Sequence, residues 1–133
     1  MWAAMAVAMM TAGCSTSLGI DLTGRWVANS YEYRSAGGAT VDLVARDGAS
    51  MSLTVDRFID GRRRVTASFN DGMGVTETLS GEVFLDPAIF EFASGTFTYR
   101  RSDDVLTLIN ESDTFDFGSG PEAATLTIRL TQL

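Results

Sequence analysis

The segment Ser50-Met51-Ser52-Leu53-Thr54-Val55 places an apolar side chain at every second position. A period of two is the mark of a strand with one dry face and one wet face. The same alternation puts Val65, Ala67 and Phe69 on one face, Leu106 and Leu108 together on a later strand, and Leu126, Ile128 and Leu130 on the last. From Thr23 onward no window of eleven or more residues carries apolar positions at helical spacing. The punctuation is equally regular. Asp47-Gly48, Asp60-Gly61 and Asp71-Gly72 read as hairpin turns, because Gly tolerates the positive φ that tight turns require. Ser102-Asp103-Asp104 is a further turn signal, Asp86-Pro87 interrupts a ladder because Pro lacks an N–H, and 118–121 reads as a loop. The predicted strands are 24–34, 40–45, 50–57, 62–69, 74–85, 89–92 with 96–101, 105–110, 114–117 and 125–131.

Eight or nine short strands joined by hairpins make an all-β, antiparallel meander. Its two edges must be protected, and closing the sheet on itself removes them. A barrel of about eight strands is the expected architecture, with an interior just wide enough for side chains or one small ligand. A two-sheet β-sandwich is the alternative. The chain has 133 residues, which suits one such domain, and shows no internal repeat, low-complexity tract or interdomain linker.

Residues 1–20 carry no charged side chain, and the apolar run Trp2 to Met10 leads into Thr11, Ala12, Gly13 and Cys14. A spanning helix needs ~20 predominantly apolar residues, and this run is about half that, the proportion of a signal-peptide core. Ala12-Gly13-Cys14 resembles the lipobox of bacterial lipoproteins, in which the chain is cut before an acylated cysteine. Thr11 stands where that family has an aliphatic residue, and no basic residue precedes the apolar run. The resemblance implies a signal peptide over 1–13, an acylated Cys14 with a short tether over 14–22, and a folded domain over 23–133. One acyl chain binds membranes marginally at ~0.8 kcal/mol per buried CH2, whereas two or three anchor firmly. Ser15, rather than Asp, follows the cysteine, and the sorting rule of these lipoproteins then implies the outer membrane. A core cysteine and an ordinary secretory peptide are the competing readings.

Composition narrows the function. Seventeen acidic residues against ten basic ones, all Arg, give a net charge of −7, which removes the electrostatic drive for nucleic-acid binding. There is no His and one Cys, so Ser-His-Asp and Cys-His catalysis, His-based metal sites and an internal disulfide are excluded. Ser nucleophiles lack both a His and a Lys to activate them. The acidic residues Asp103, Asp104, Glu111, Asp113, Asp116 and Glu122 crowd the last third, but without a calcium-loop spacing they read as turn-forming and solubilising. Arg62-Arg63-Arg64 and Arg100-Arg101 read as solvated strand ends that discourage edge pairing.

Gly24-Arg25-Trp26 opens the first strand, and a Gly-x-Trp there is a mark of lipocalins, in which the Trp closes one end of the barrel. The later stretches Gly95-Thr96-Phe97-Thr98-Tyr99, Val105-Leu106-Thr107-Leu108, Phe115-Asp116-Phe117 and Ala123-Ala124-Thr125-Leu126 resemble the C-terminal half of small bacterial lipocalin-like lipoproteins. The resemblance implies an enclosed apolar cup, without the C-terminal helix and disulfide of larger lipocalins. Trp26, Tyr31, Tyr33, Phe97 and Tyr99 are the candidate lining of that cup, the Tyr hydroxyls orienting a polar group; plain core packing is the alternative. Seven Phe after position 60 could instead fill the interior.

The expected function is non-enzymatic: an envelope lipoprotein that binds or carries a small apolar ligand, with a membrane as partner through its lipid and with no metal or cofactor. The rival is a solid-barrel interaction module that contacts an envelope protein through its loops.

Overall fold

A computed structural model describes residues 22–56, 63–85 and 87–133. The segment expected to be a signal peptide, Cys14 and residues 15–21 of its expected tether, the Asp60-Gly61 turn signal, Arg62 and Asp86 lie outside the described residues.

Among the described residues nine strands form one antiparallel sheet: β1 (Gly24–Ser35), β2 (Thr40–Asp42), β3 (Ser50–Val55), β4 (Arg63–Asn70), β5 (Thr76–Leu85), β6 (Ala88–Phe92), β7 (Gly95–Ser102), β8 (Val105–Asp116) and β9 (Pro121–Gln132). Strands β3 to β9 pair in sequence order, β3 pairs back to the first half of β1, and β9 pairs along nearly all of β1. The sheet is therefore a closed barrel of eight strands. β2 lies outside the ring, paired only to the Glu32–Arg34 part of β1. The β-sandwich alternative is excluded by that closure.

The period-two pattern decides which side chains enter the barrel. Met51, Leu53 and Val55 of β3, Val65 and Ala67 of β4, Leu106 and Leu108 of β8, and Leu126, Ile128 and Leu130 of β9 are all buried. Asp71-Gly72 makes the β4–β5 hairpin: Asp71 Oδ1 accepts from the Met73 and Val75 amides at 2.7 and 3.1 Å. Gly72 has φ 80°, and a Cβ there would collide with the Asp47 carbonyl oxygen.

Four expectations differ from the structure. The predicted strand 40–45 stops at Asp42 and continues as a five-residue helix, α1 (Leu43–Asp47). Asp47-Gly48 is accordingly the end of that helix, not a hairpin: Gly48 takes φ 71° and returns its N–H to the Leu43 carbonyl. A single helical turn is too short to show a 3.6-residue period. Segments 105–110 and 114–117 are one strand, β8, because a bulge between Asn110 and Asp113 absorbs the interruption. Pro121 belongs to β9 as its first residue, where no ladder N–H is required.

The arginine clusters are also only half solvated. Arg64 and Arg100 are exposed. Arg63 faces inward and is buried, and Arg101 lies over the indole of Trp26 with Cζ 5.2 Å from the ring centroid. Inward parity at these positions outweighs their charge, because Arg can lay its stem along apolar surface.

Candidate functional site

The two ends of the barrel are built differently. At the end where β1 starts, Trp26 is fully buried, and its Nε1–H donates to the Leu22 carbonyl at 3.0 Å. Arg101 covers the ring while donating to the Asp103 carbonyl at 2.7 Å and the Gln132 side chain at 3.2 Å. Tyr99 packs edge-on against Phe90 at 5.1 Å and donates from its hydroxyl to the Phe84 carbonyl at 3.0 Å. Leu53, Val55, Val65, Val83 and Leu130 complete this solid half.

The other half contains a cavity of about 350 Å³. Its walls are aromatic and aliphatic: Tyr31 and Tyr33 of β1, Phe69 of β4, Phe92 of β6, Phe97 of β7 and Phe115 of β8, with Met51, Leu79, Leu126 and Ile128. Leu43 reaches it from α1. Its polar lining is Glu77, Ser94, Asn110 and Asp113. Tyr33 stacks on Phe115 with centroids 4.3 Å apart and planes 14° apart; Tyr31 meets Phe69 at 4.9 Å and Tyr33 edge-on at 5.8 Å. A continuous aromatic wall thus runs from β4 across β1 to β8.

Two bulges aim that wall inward. Ala28 pairs with Leu130, but Ser30 pairs with Arg129, so Asn29 is an extra residue in β1. Asn29 Nδ2 ties the bulge to Thr131 Oγ1 at 2.6 Å. In β8, Asn110 pairs with Leu126 and Asp113 with Ala124, again one residue too many. Asn110 Oδ1 accepts from the Ser112 amide at 2.9 Å within that bulge. Because one residue of slip reverses every side chain beyond it, unbroken ladders would have turned Ser30, Glu32 and Thr114 inward. The bulges present Tyr31, Tyr33, Asp113 and Phe115 instead.

Helix α1 is fixed beside the mouth by Asp42. Its Oδ1 accepts from the Val44 amide, capping the helix, and from the Tyr31 amide, both at 3.0 Å. Arg46 on the helix makes a two-point contact with Asp47 at 2.8 and 3.0 Å and lies 5.9 Å from the Phe115 centroid.

Burial pushes the Tyr31 and Tyr33 phenols up from their ordinary range, Tyr33 most strongly. Asp113 adds to the effect on both, and Glu77 to that on Tyr31, since a nearby negative charge disfavours a phenolate. The cavity tyrosines are therefore neutral hydrogen-bonding groups at physiological pH.

Of the five sequence-derived candidates, the structure brings Tyr31, Tyr33 and Phe97 together around the cavity. Trp26 and Tyr99 belong to the packed half. Sequence reasoning missed Glu77, Asn110 and Leu43, and it read Asp113 only as part of an acidic surface. Strict alternation is a signal for Phe115 once the β8 bulge is known, and nothing local marks that bulge. Among the described residues no group of three or more Asp, Glu or Cys side chains is arranged to hold a metal ion.

No protein-family model matches the chain, and comparison with curated proteins and with solved structures finds no match either. The likeness to lipocalins thus rests on the residues of the chain and on its barrel topology.

Proposed function

We propose that this chain is a lipocalin-like envelope lipoprotein that binds a small apolar molecule in the open half of its barrel. One observation carries the reading: a cavity of about 350 Å³, walled by aromatic rings, at one end of a barrel whose other end is packed solid. Concave, mostly apolar sites of this size with a few polar groups are what small ligands occupy. At ~30 Å³ per water the space equals about a dozen waters, enough for a ring and a short chain. Water confined against aromatic walls is readily displaced, and apolar burial supplies the binding energy without any covalent step. The proposed role is binding rather than catalysis.

The tether fits this use. Leu22 enters the barrel at the closed end, beneath Trp26, so a lipid on Cys14 would hold the molecule by its solid end with the mouth directed away from the membrane. The solid-barrel alternative suits only the half that carries no cavity.

Native mass spectrometry of the full chain carrying Cys14→Ser, after exposure to a total lipid extract, tests the binding function. A discrete mass adduct, diminished in Phe115→Ala, is expected; bare protein alone would overturn it. In cells Cys14→Ser should also shift the chain from membranes to the soluble envelope fraction, and unchanged membrane association would refute the anchor.

A further inference from the structure

We infer that the cavity selects apolar molecules bearing a cationic amine, with the Tyr31–Tyr33–Phe115 wall facing the cation and Asp113 and Glu77 as its counter-charges. The inference rests on the cavity being a binding site and adds the chemical class of the ligand.

Charge is the first ground. Among the described residues the cavity lining includes two carboxylates and no Arg, and the chain has neither Lys nor His to supply a positive charge. Arg46 touches the Phe115 ring from the outer edge of the wall, outside the cavity lining, and is held there by Asp47 in a two-point ion pair. A fatty carboxylate entering this space would meet like charge without a compensating donor cation. An amine would meet opposite charge at the half-buried Asp113, where screening is weaker than at an open surface, with Glu77 at the exposed rim.

The second ground is the wall itself. The faces of aromatic rings are negative and attract cations within about 6 Å of their centroids. The chain already does this with its own groups: the Arg46 guanidinium lies 5.9 Å from the Phe115 ring at the outer edge of the wall. Deeper in, Tyr33 and Tyr31 extend the same surface. Their phenols feel the field of Asp113, and Tyr31 also that of Glu77; Asp113 is half-buried beside them and Glu77 is exposed at the rim. The bulge that turns Asp113 inward turns Phe115 inward with it, placing counter-charge and ring on one strand.

The third ground is the distribution of charge along the barrel. By the pairing registers the closed end carries Arg25, Arg64 and Arg100 together with Glu82, Asp103 and Asp104, whereas at the mouth Arg34 stands against Asp71, Glu77, Asp113 and Asp116, so the mouth is the more negative end. A potential of that polarity draws cations toward the opening.

The test compares three probes of equal hydrocarbon skeleton, 4-phenylbutylamine, 4-phenylbutanol and 4-phenylbutanoate, by titration calorimetry on the full chain carrying Cys14→Ser, which leaves no acyl group to compete. The amine should bind about tenfold more tightly than the alcohol, a margin that one cation–π contact and one ion pair can supply, and the carboxylate should bind most weakly. Asp113→Asn, which keeps an oxygen for the Thr114 amide that Asp113 Oδ1 accepts at 2.7 Å, should bring amine and alcohol close to parity. Glu77→Gln should do so in part. Equal binding of all three probes, or a preference for the carboxylate, would overturn the inference while leaving the binding site intact. Binding of none would overturn the cavity reading and the inference with it. An amine preference unchanged in the Asp113→Asn/Glu77→Gln double variant would refute the assigned counter-charges.

Discussion

Replacing Trp26 with Phe separates what holds the barrel together from what lines its cavity. Trp26 is fully buried, its indole N–H satisfies the Leu22 carbonyl at 3.0 Å, and the Arg101 guanidinium lies over its ring at 5.2 Å. Phe keeps an aromatic face for Arg101 but removes the donor from a buried carbonyl, a loss of ~1–3 kcal/mol. The smaller ring also leaves unfilled volume in the packed half, adding ~1 kcal/mol at the usual cost per cubic ångström of cavity. The sum, roughly 2–4 kcal/mol, is a large part of the ~5–15 kcal/mol that stabilises a typical domain. Equilibrium urea unfolding followed by far-ultraviolet circular dichroism, which needs no tryptophan signal, should show a midpoint lowered by roughly 1–2 M with the slope unchanged. Because Trp26 is no part of the cavity wall, the folded variant should bind 4-phenylbutylamine within about twofold of the parent. A midpoint shift under ~0.3 M would refute the energetic argument. Lost affinity at unchanged stability would refute the division of the barrel into a packed half and an open half.

Two further outcomes follow from the same geometry. All three tyrosines of the chain have phenols raised by burial above their ordinary value of 10.0; the folded state therefore holds these protons more tightly than the unfolded state, and their stabilisation is complete below about pH 10 and lost as pH rises through the higher folded values. Phenolate absorbance should accordingly rise together with alkaline unfolding, and a reversible titration of all three near pH 10 with the dichroism unchanged would contradict it. Gly81→Ala should cost about 1–3 kcal/mol by overpacking, because its Cβ would meet the Glu91 carbonyl oxygen and come within 2.7 Å of the Phe92 ring; thermal unfolding at parental temperature would show that β6 yields more easily than its pairing suggests.

Much of the architecture was legible along the chain. Alternation in 50–55, 65–69, 106–108 and 126–130 reports on adjacent residues of one strand, so it named the inward faces of β3, β4, β8 and β9 before any partner strand was considered. Asp71-Gly72 likewise declared a hairpin and Ser102-Asp103-Asp104 a turn, since turn geometry depends on a few consecutive φ angles. Closure into a barrel was the expected way to remove two edges, with a β-sandwich as the alternative, and the pairing of β1 with β9 decided between them.

The site was less legible because its decisive features are long-range. Whether Asn29 stands in the β1 ladder or bulges from it depends on how β1 matches β9, a hundred residues later in the chain, and the β8 bulge likewise depends on the register with β9. Those two slips choose between Tyr31, Tyr33 and Phe115 facing inward and Ser30, Glu32 and Thr114 doing so. The partition of the aromatic residues was also a tertiary decision. Side chains from several strands share each layer of the interior, so whether a layer is full depends on summed volumes that no local pattern connects. Around Trp26 that sum fills the space, and around Tyr33 it leaves room for a guest. The sequence by itself determined antiparallel strands and their dry faces, because those depend on period and turn chemistry within a few residues. Only the tertiary structure decided which end stays open and which charges face into it, because register and packing sum over strands distant in the chain.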